Sequence, residues 1–335
     1  DVAKRAGVST GTVSNVLNNP ALVSVDKRAR VRDAVEVLGF TRNKLASALV
    51  RGGSRTVGLA TIDLGSSLFV DIARGAQRRA HRAGLYLQLG FADNDPALLD
   101  THIDALTDER VAGLLVAPMM DHGLSIERSR RAGCPVVELN YESTQPSCRV
   151  LADYDQAGYL AARHLIELGR THIALVLALT HLQSVSRRRA GVRRAVAETA
   201  GAVTLTEIFV EGVEPEDGVQ AAVELAMRPV ALRPVAVVAV TDVLAMAIVT
   251  ELTAAGVDVP TEVAVMGSDY DSATWGSGVP LTSVEMRGEE IGSTGLELLV
   301  AEITERPESH VHRTVILEPR LHIRESTARR SSRRS

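Results

Sequence analysis

Beyond residue 55 the chain alternates short apolar runs with amphipathic stretches of helical length. "TVGLATI", "LYLQLGF", "VAGLLVAP" and "PVVELN" read as strands, and after a break so do "HIALVLAL", "LTEIFV", "PVAVVAV" and "EVAVMGS". Between them, residues 69–83, 155–168, 187–200 and 242–255 read as helices. Continuous Val/Ile/Leu runs separated by helices specify parallel strands covered on both faces. Two such sets in tandem predict two α/β lobes. Ligands of such sheets bind outside the carboxyl ends of the strands, so two facing lobes form one cleft.

The first forty residues follow another pattern. In "DVAKRAGVSTGTVSNVLN" Val2, Ala3 and Ala6 repeat at helical spacing, Gly7 is a stop and turn, and Ser9 or Thr10 can cap a second helix. Val13, Val16 and Leu17 form that helix's apolar stripe, while Thr10, Gly11, Thr12, Ser14, Asn15 and Asn18 form a short polar face. The spacing fits a helix-turn-helix, whose second helix reads base edges, as well as it fits an ordinary capped surface helix. Val31, Val35 and Leu38 line a third helix ended by Gly39, which can close a small core over the first two.

Charge moves that balance. Residues 1–55 carry ten Lys/Arg against four acids, a net of +6, and the remaining residues carry a net of −10, so the overall −4 conceals a basic head on an acidic body. A basic head suits phosphate contacts, which release counterions from DNA. With 335 residues and 45% hydrophobic content, a small head and a large two-part body both have material for a core. No apolar run is long enough to span a membrane or resembles a signal peptide. Cys134 and Cys148, the only cysteines, have no partner pattern and read as free thiols in a reducing cytoplasm. The tail "ARRSSRRS" is basic, poor in apolar residues and expected to be disordered.

The opening stretch resembles the helix-turn-helix of the LacI/GalR family of bacterial repressors. The likeness rests on the ungapped pattern GVS-x-x-TVS-x-VLN, and "VSVDKRARVRDAVEVLGFTRNKLASAL" resembles that family's third helix and hinge helix. The family headpiece begins several residues earlier, so the N-terminus is expected to be truncated. The resemblance implies an all-α helix-turn-helix domain at 1–41, a hinge and linker at 42–55, a two-lobed effector-binding and dimerisation domain at 56–326 and a tail at 327–335. The two-lobed part is similar to type 1 periplasmic sugar-binding proteins, each lobe a parallel sheet covered by helices. It implies an N-lobe of about 56–155 and 287–314 and a C-lobe of about 156–284 and 315–326. "LTSVEM", the helix after Arg287 and "LHIRE" then cross back between lobes.

No catalytic motif is present: there is no G-x-S-x-G, H-E-x-x-H, P-loop or C-x-x-C. His310 and His312 in "HVH" could touch a metal but lack a third ligand in sequence, and they read as an exposed strand or loop. No catalytic residue, metal or cofactor is therefore expected. On the DNA side, Thr10, Gly11 and Asn15 are expected to read bases, with Thr12, Ser14 and Asn18 beside them. The resemblance adds the hinge residues Asn43 and Ala46, and Leu49 as a minor-groove wedge. Arg42 stands where the family has Pro.

A sugar cleft needs carboxylates, an arginine and an apolar face. "DLGSSLFVD" supplies Asp63, Leu68 and Phe69 after the first strand, where the family has NPFF. The resemblance makes Arg188 in "SVSRRRAGV" the effector arginine, with Ser184 close by. Asp242 in "VTDVLAMA" starts a helix at a strand end, and Asp269 in "MGSDYDSATW" matches the effector aspartate, with Trp275 just beyond. Each has a plainer reading as cap, loop carboxylate, surface ion pair or core. The implied protein is a cytoplasmic homodimeric repressor. It binds a palindromic operator on double-stranded DNA and is controlled allosterically by a small effector, read as a sugar. A solute-binding protein for sugar transport is the rival.

Overall fold

The computed structural model describes residues 2–18, 20–38, 54–269, 279–305 and 310–328, and the side chains of Ser14, Leu17, Asn18 and Pro20 fall outside the description. The chain divides into two units, Asp1–Ser54 and Arg55–Ser335.

The first unit is a three-helix head: α1 (Val2–Ala6), α2 (Thr10–Asn18) and α3 (Val25–Val37). Its core is Val2, Ala6, Val16, Val31 and Ala34, with Val8, Val13, Val23 and Val35 packed around it. Ala34, rather than Leu38, completes the α3 face, because Leu38 lies beyond the last helical turn and is exposed. Gly7 makes the turn at φ +60°, a conformation that costs glycine little. Ser9 Oγ then accepts from the Thr12 amide at 3.1 Å and caps α2. Arg30 of α3 donates to the carbonyls of Ala6 (3.0 and 2.5 Å) and Gly7 (2.8 Å), fastening the turn to the third helix.

The second unit begins with β1 (Thr56–Thr61), α4 (Ser67–Arg82), β2 (Tyr86–Phe91), α5 (Pro96–Asp108), β3 (Leu114–Ala117), α6 (Gly123–Arg131), β4 (Val136–Leu139) and β5 (Cys148–Ala152). The pattern recurs as α7 (Tyr154–Glu167), β6 (His172–Leu177), α8 (Gln183–Ala197), β7 (Thr204–Phe209), α9 (Pro215–Met227), β8 (Ala236–Ala239), α10 (Asp242–Ala254), β9 (Ala264–Ser268) and β10 (Thr282–Glu285). It closes with α11 (Gly288–Thr304), β11 (Thr314–Leu317) and β12 (Arg320–His322).

Two six-stranded sheets result, in the orders β11-β5-β4-β3-β1-β2 and β12-β10-β9-β8-β6-β7. All pairings are parallel except β10 with β12. Both sheets share one order, so each has a switch point, at β1/β3 and at β6/β8. The apolar runs at β3, β4, β8 and β9 are wholly buried, as central strands require, whereas the edge strands β2 and β7 are mostly exposed or half-buried. Helix starts follow local chemistry. Asp95 accepts from the amides of Ala97 and Leu98 with Pro96 behind it, and Glu214 and Asp217 form a reciprocal capping box.

Some expected boundaries change. β5 and β11 escaped the pattern, and β11 pairs with β5, so residues 314–317 belong to the N-lobe sheet. The chain crosses between lobes after β5, after β10 and between β11 and β12. α8 begins at Gln183, ahead of the expected residue 187. Thr327, assigned from sequence to the disordered tail, is buried: its hydroxyl bonds His164 Nε2 at 2.8 Å and Thr282 Oγ1 at 2.7 Å. Ser326 beside it bonds both Val265 and Thr282.

Both lobes clamp one helix pair by glycines. In the C-lobe, a Cβ on Gly158 (α7) would lie 2.0 Å from the carbonyl oxygen of Arg188 (α8), and one on Gly191 1.8 Å from that of Asp155. In the N-lobe, Gly75 (α4) and Gly292 (α11) would each lie 1.9 Å from carbonyls of the facing helix. Only hydrogen at these positions allows the backbones to approach so closely.

Candidate functional site

The head presents one exposed polar face on α2. Thr10, Gly11 and Asn15 of α2 are exposed, and Thr12 is half-buried, its hydroxyl 2.9 Å from Ser9 Oγ. Val16 on the opposite side is core. Capping and packing thus hold the helix while its polar first turn stays free for groove contact. Among the remaining candidates, Ser14 and Asn18 lie in α2 without described side chains, and Asn43, Ala46 and Leu49 lie outside the described residues.

The second site gathers where the strand ends of the two lobes meet. Arg188, in the second turn of α8, is only 7% exposed. Its Nη1 donates to the carbonyl of Val240 at the end of β8 and lies 3.5 Å from Asp269 Oδ1, beyond the end of β9. Its guanidinium carbon stands 5.1 Å from the centre of the Tyr154 ring, the first residue of α7. The Tyr154 hydroxyl accepts from Asn140 Nδ2 at 2.5 Å, and Asn140 is the residue after β4 in the N-lobe. Burial pushes the Tyr154 phenol up to about 12, against the lowering influence of Arg188, so it stays a neutral hydroxyl.

Two polar atoms here, Asn140 Oδ1 and Arg188 Nε, are buried without a hydrogen-bond partner. Asp269 has φ +124° and Asn140 φ +62°. Side chains rarely adopt such conformations, which cost about 1–3 kcal/mol and gather at binding sites. One acceptor and one donor without partners, beside a carboxylate and an arginine, form a set that hydroxyl groups of a ligand can satisfy.

Beside this cluster runs a cleft of about 420 Å³ between Met119, Met120 and Tyr141 of the N-lobe and residues 180–183, Ser186 and Arg187 of the C-lobe. A latch spans it. Glu142 donates its amide to Gln183 Oε1 (3.0 Å), accepts from Gln183 Nε2 on its carbonyl (3.1 Å) and pairs its carboxylate with Arg187.

The sequence candidates divide. Arg188 and Asp269 come together, and Ser184 lies half-buried in the first turn of α8. Asp63 stands at the end of β1, but its carboxylate accepts from the amides of Gly65 (2.6 Å) and Ser66 (3.0 Å), shaping the turn into α4. Leu68 and Phe69 are core residues. Asp242 is buried with Oδ1 accepting from Ser283 at 2.6 Å, and Thr241 caps α10 in its place. Trp275 lies outside the described residues. Asn140, Tyr154 and the latch were missed from sequence. "ELNYES" did hold a signal, an Asn directly after an apolar run, since Asn tolerates left-handed backbone.

The two units match different families of known proteins. Residues 1–43 match the bacterial regulatory proteins of the lacI family, and residues 162–327 match the periplasmic binding protein-like domain. The chain is 29% identical over 331 residues, 97% of either chain, to the HTH-type transcriptional repressor PurR of Mannheimia succiniciproducens. PurR of Photobacterium profundum is also 29% identical, over 330 residues and 97% of either chain. Among solved structures, a complex of the transcriptional regulator CelR with cellobiose aligns at TM-score 0.71 and 26% identity, covering 97% of this chain and 98% of CelR. The lac repressor dimer bound to operator and the anti-inducer ONPF shares the fold at TM-score 0.83 and 23% identity, with 98% of both chains covered. No helix among the described residues is long and apolar enough to cross a membrane. With a capped, basic helix-turn-helix in front of two lobes that meet on one polar cleft, the chain belongs to the lacI family of bacterial regulatory proteins.

Proposed function

We propose that the protein is a cytoplasmic repressor, not an enzyme, that binds a palindromic operator as a homodimer and adjusts its grip according to a sugar held between the lobes. The Arg188–Asp269 pair flanked by Asn140 carries the reading, because the unpartnered Arg188 Nε of the C-lobe and Asn140 Oδ1 of the N-lobe are both buried at this cluster. Ion-paired arginine and carboxylate, with an amide beside them, suit vicinal hydroxyls. The cellobiose complex of CelR and a ribose complex of a LacI-family regulator from Enterococcus faecium (25% identity, TM-score 0.71, 82% of this chain and 98% of that one) support the sugar class.

Two-fold symmetry supplies the second half-site that one short head needs. Exposed apolar side chains support self-association: Met227 (81% exposed) and Val230 (79%) by α9, and Tyr86 and Phe91 on the edge strand β2. A sugar that favours one lobe arrangement changes DNA affinity by no more than its differential affinity for the two states. A thermal-shift panel of pentoses, hexoses, disaccharides, polyols and purines tests the class. A ligand at about 100 times its Kd adds roughly 2.7 kcal/mol, a rise of several degrees. One sugar hit abolished by Arg188→Ala supports the reading, whereas a purine hit or a silent panel removes the sugar.

A further inference from the structure

At the amino-terminal end of the N-lobe strands, opposite the cleft, four side chains from three parts of the chain converge. Cys148 opens β5, Glu302 lies in the last turn of α11, and His310 and His312 lead into β11. One donor atom from each lies within 4.8 Å of all the others. We propose that Cys148, Glu302, His310 and His312 bind one divalent transition-metal ion, zinc in chemical class, that ties the end of α11 to the β5–β11 edge of the sheet.

The donor set is what zinc takes: two imidazole nitrogens, a thiolate and a carboxylate. Donors around tetrahedral zinc stand roughly 3.3–3.8 Å apart, given bond lengths of about 2.0–2.3 Å. Cys148 Sγ to His310 Nε2 is already 3.2 Å, and His310 Nε2 to Glu302 Oε2 is 3.7 Å. Only a small contraction of the widest pair is needed.

The orientation of His310 is also that of a ligand. Its Nδ1 donates to Glu305 Oε2 at 2.8 Å, which leaves the Nε2 lone pair facing Cys148 and Glu302. A carboxylate behind a histidine fixes tautomer and ring angle in metal sites. Glu302 Oε2 is buried and accepts no hydrogen bond. Arg130 and Arg149 are close enough to act on Glu302 and His312, but their hydrogen bonds go to the Val136 carbonyl (3.1 Å) and to the carbonyls of Ser143 and Gln145, not to the four donors. A dication on one thiolate, one carboxylate and two neutral imidazoles gives a site of zero net charge. Binding releases the Cys148 thiol proton to solvent. Four protein donors close the coordination sphere, which makes the site structural rather than catalytic. The two histidines lie 162 and 164 residues from Cys148, which is why "HVH" showed no third ligand in sequence.

The test is a titration of the tag-free full chain, stripped with chelator, with Co²⁺ and then Zn²⁺. The expected result is one Co²⁺ per chain with a thiolate-to-cobalt charge-transfer band, displaced by one Zn²⁺, and a melting temperature that rises with zinc and falls back with chelator. Cys148→Ser should abolish the band, and Cys134→Ser should keep it, a needed control because Cys134 is close enough to Glu302 to feel its charge. His312 is exposed, so His312→Ala folds even if Cys148→Ser does not, and it should weaken binding at least tenfold. Absence of saturable binding, a band that follows Cys134, or unchanged affinity in His312→Ala would each overturn the site.

Discussion

Gly158→Ala tests whether the helix clamp of the C-lobe sets the position of Arg188, the proposed effector-binding arginine. The added methyl carbon would lie 2.0 Å from the Arg188 carbonyl oxygen, and ordinary contact begins near 3.4 Å. The α7 and α8 backbones must therefore separate by about 1.4 Å. Overpacking of this kind costs about 1–3 kcal/mol. Alanine returns up to about 1 kcal/mol of helix propensity, so a net loss of roughly 1–2 kcal/mol is expected. The same movement draws Arg188 Nη1 away from Val240 and from Asp269, already at 3.5 Å, and effector affinity should fall tenfold or more. Gly75→Ala is the matched control: it meets the Glu289 carbonyl oxygen at 1.9 Å in the N-lobe and should cost similar stability, but its folded fraction should bind effector normally. Urea midpoints and calorimetric titration of both variants give the two readings. The reasoning fails if Gly158→Ala is as stable as the parent, or if both variants lose effector affinity alike.

Four further outcomes follow from other parts of the molecule. Arg187→Ala removes one side of the latch. Exposed ion pairs contribute about 0.2–1 kcal/mol, so effector affinity should drop up to about fivefold with a more open solution scattering profile, and an unchanged profile counts against a latch. Met227→Asp should shift sedimentation toward monomer at micromolar concentration and weaken operator binding with it. Glu207 is held down to about 2, chiefly by the Arg189 hydrogen bond and then by Arg193, so the stability it provides is complete above its unfolded value and is lost as pH falls toward 2. Glu207→Gln should flatten melting temperature against pH below about 4.5. Asn15→Ala should weaken operator binding far more than binding to random DNA, and equal loss on both would remove Asn15 as a base reader.

The legible parts of the fold were those whose physics is local. Central strands such as Leu114–Ala117 and Ala236–Ala239 are unbroken apolar runs because both of their faces are covered. β5 was not legible, because "CRVLA" follows a turn-rich stretch and carries Arg149. β11 is an edge strand whose residues alternate between exposed and half-buried, and the uniformly apolar end of "TVIL" does not show that alternation in sequence. Of the cleft, Arg188 and Asp269 were visible through family likeness and strand-end position. Asp242 looked identical by that criterion, and only the packing of Gly267 and Ser283 against it turns its carboxylate inward. Tyr154 reads as core in any one-dimensional pattern, and it is core, with one polar atom facing Asn140.

The three crossings between the sheets also bear on how the chain is made. Neither lobe is a continuous stretch, because the helix and edge strand that complete the first lobe, α11 and β11, are encoded after nearly all of the second. On the ribosome, residues 56–152 emerge with the α4 face that packs on α11 bare until residue 304 has been synthesised. At about 5–20 residues per second that interval lasts on the order of ten seconds or more. The C-lobe sheet, whose first five strands lie between residues 172 and 285, can assemble before the N-lobe is finished. A late-finished N-lobe is then a property of the strand order itself, while Ser326 and Thr327 dock on the C-lobe alone, against His164, Val265 and Thr282.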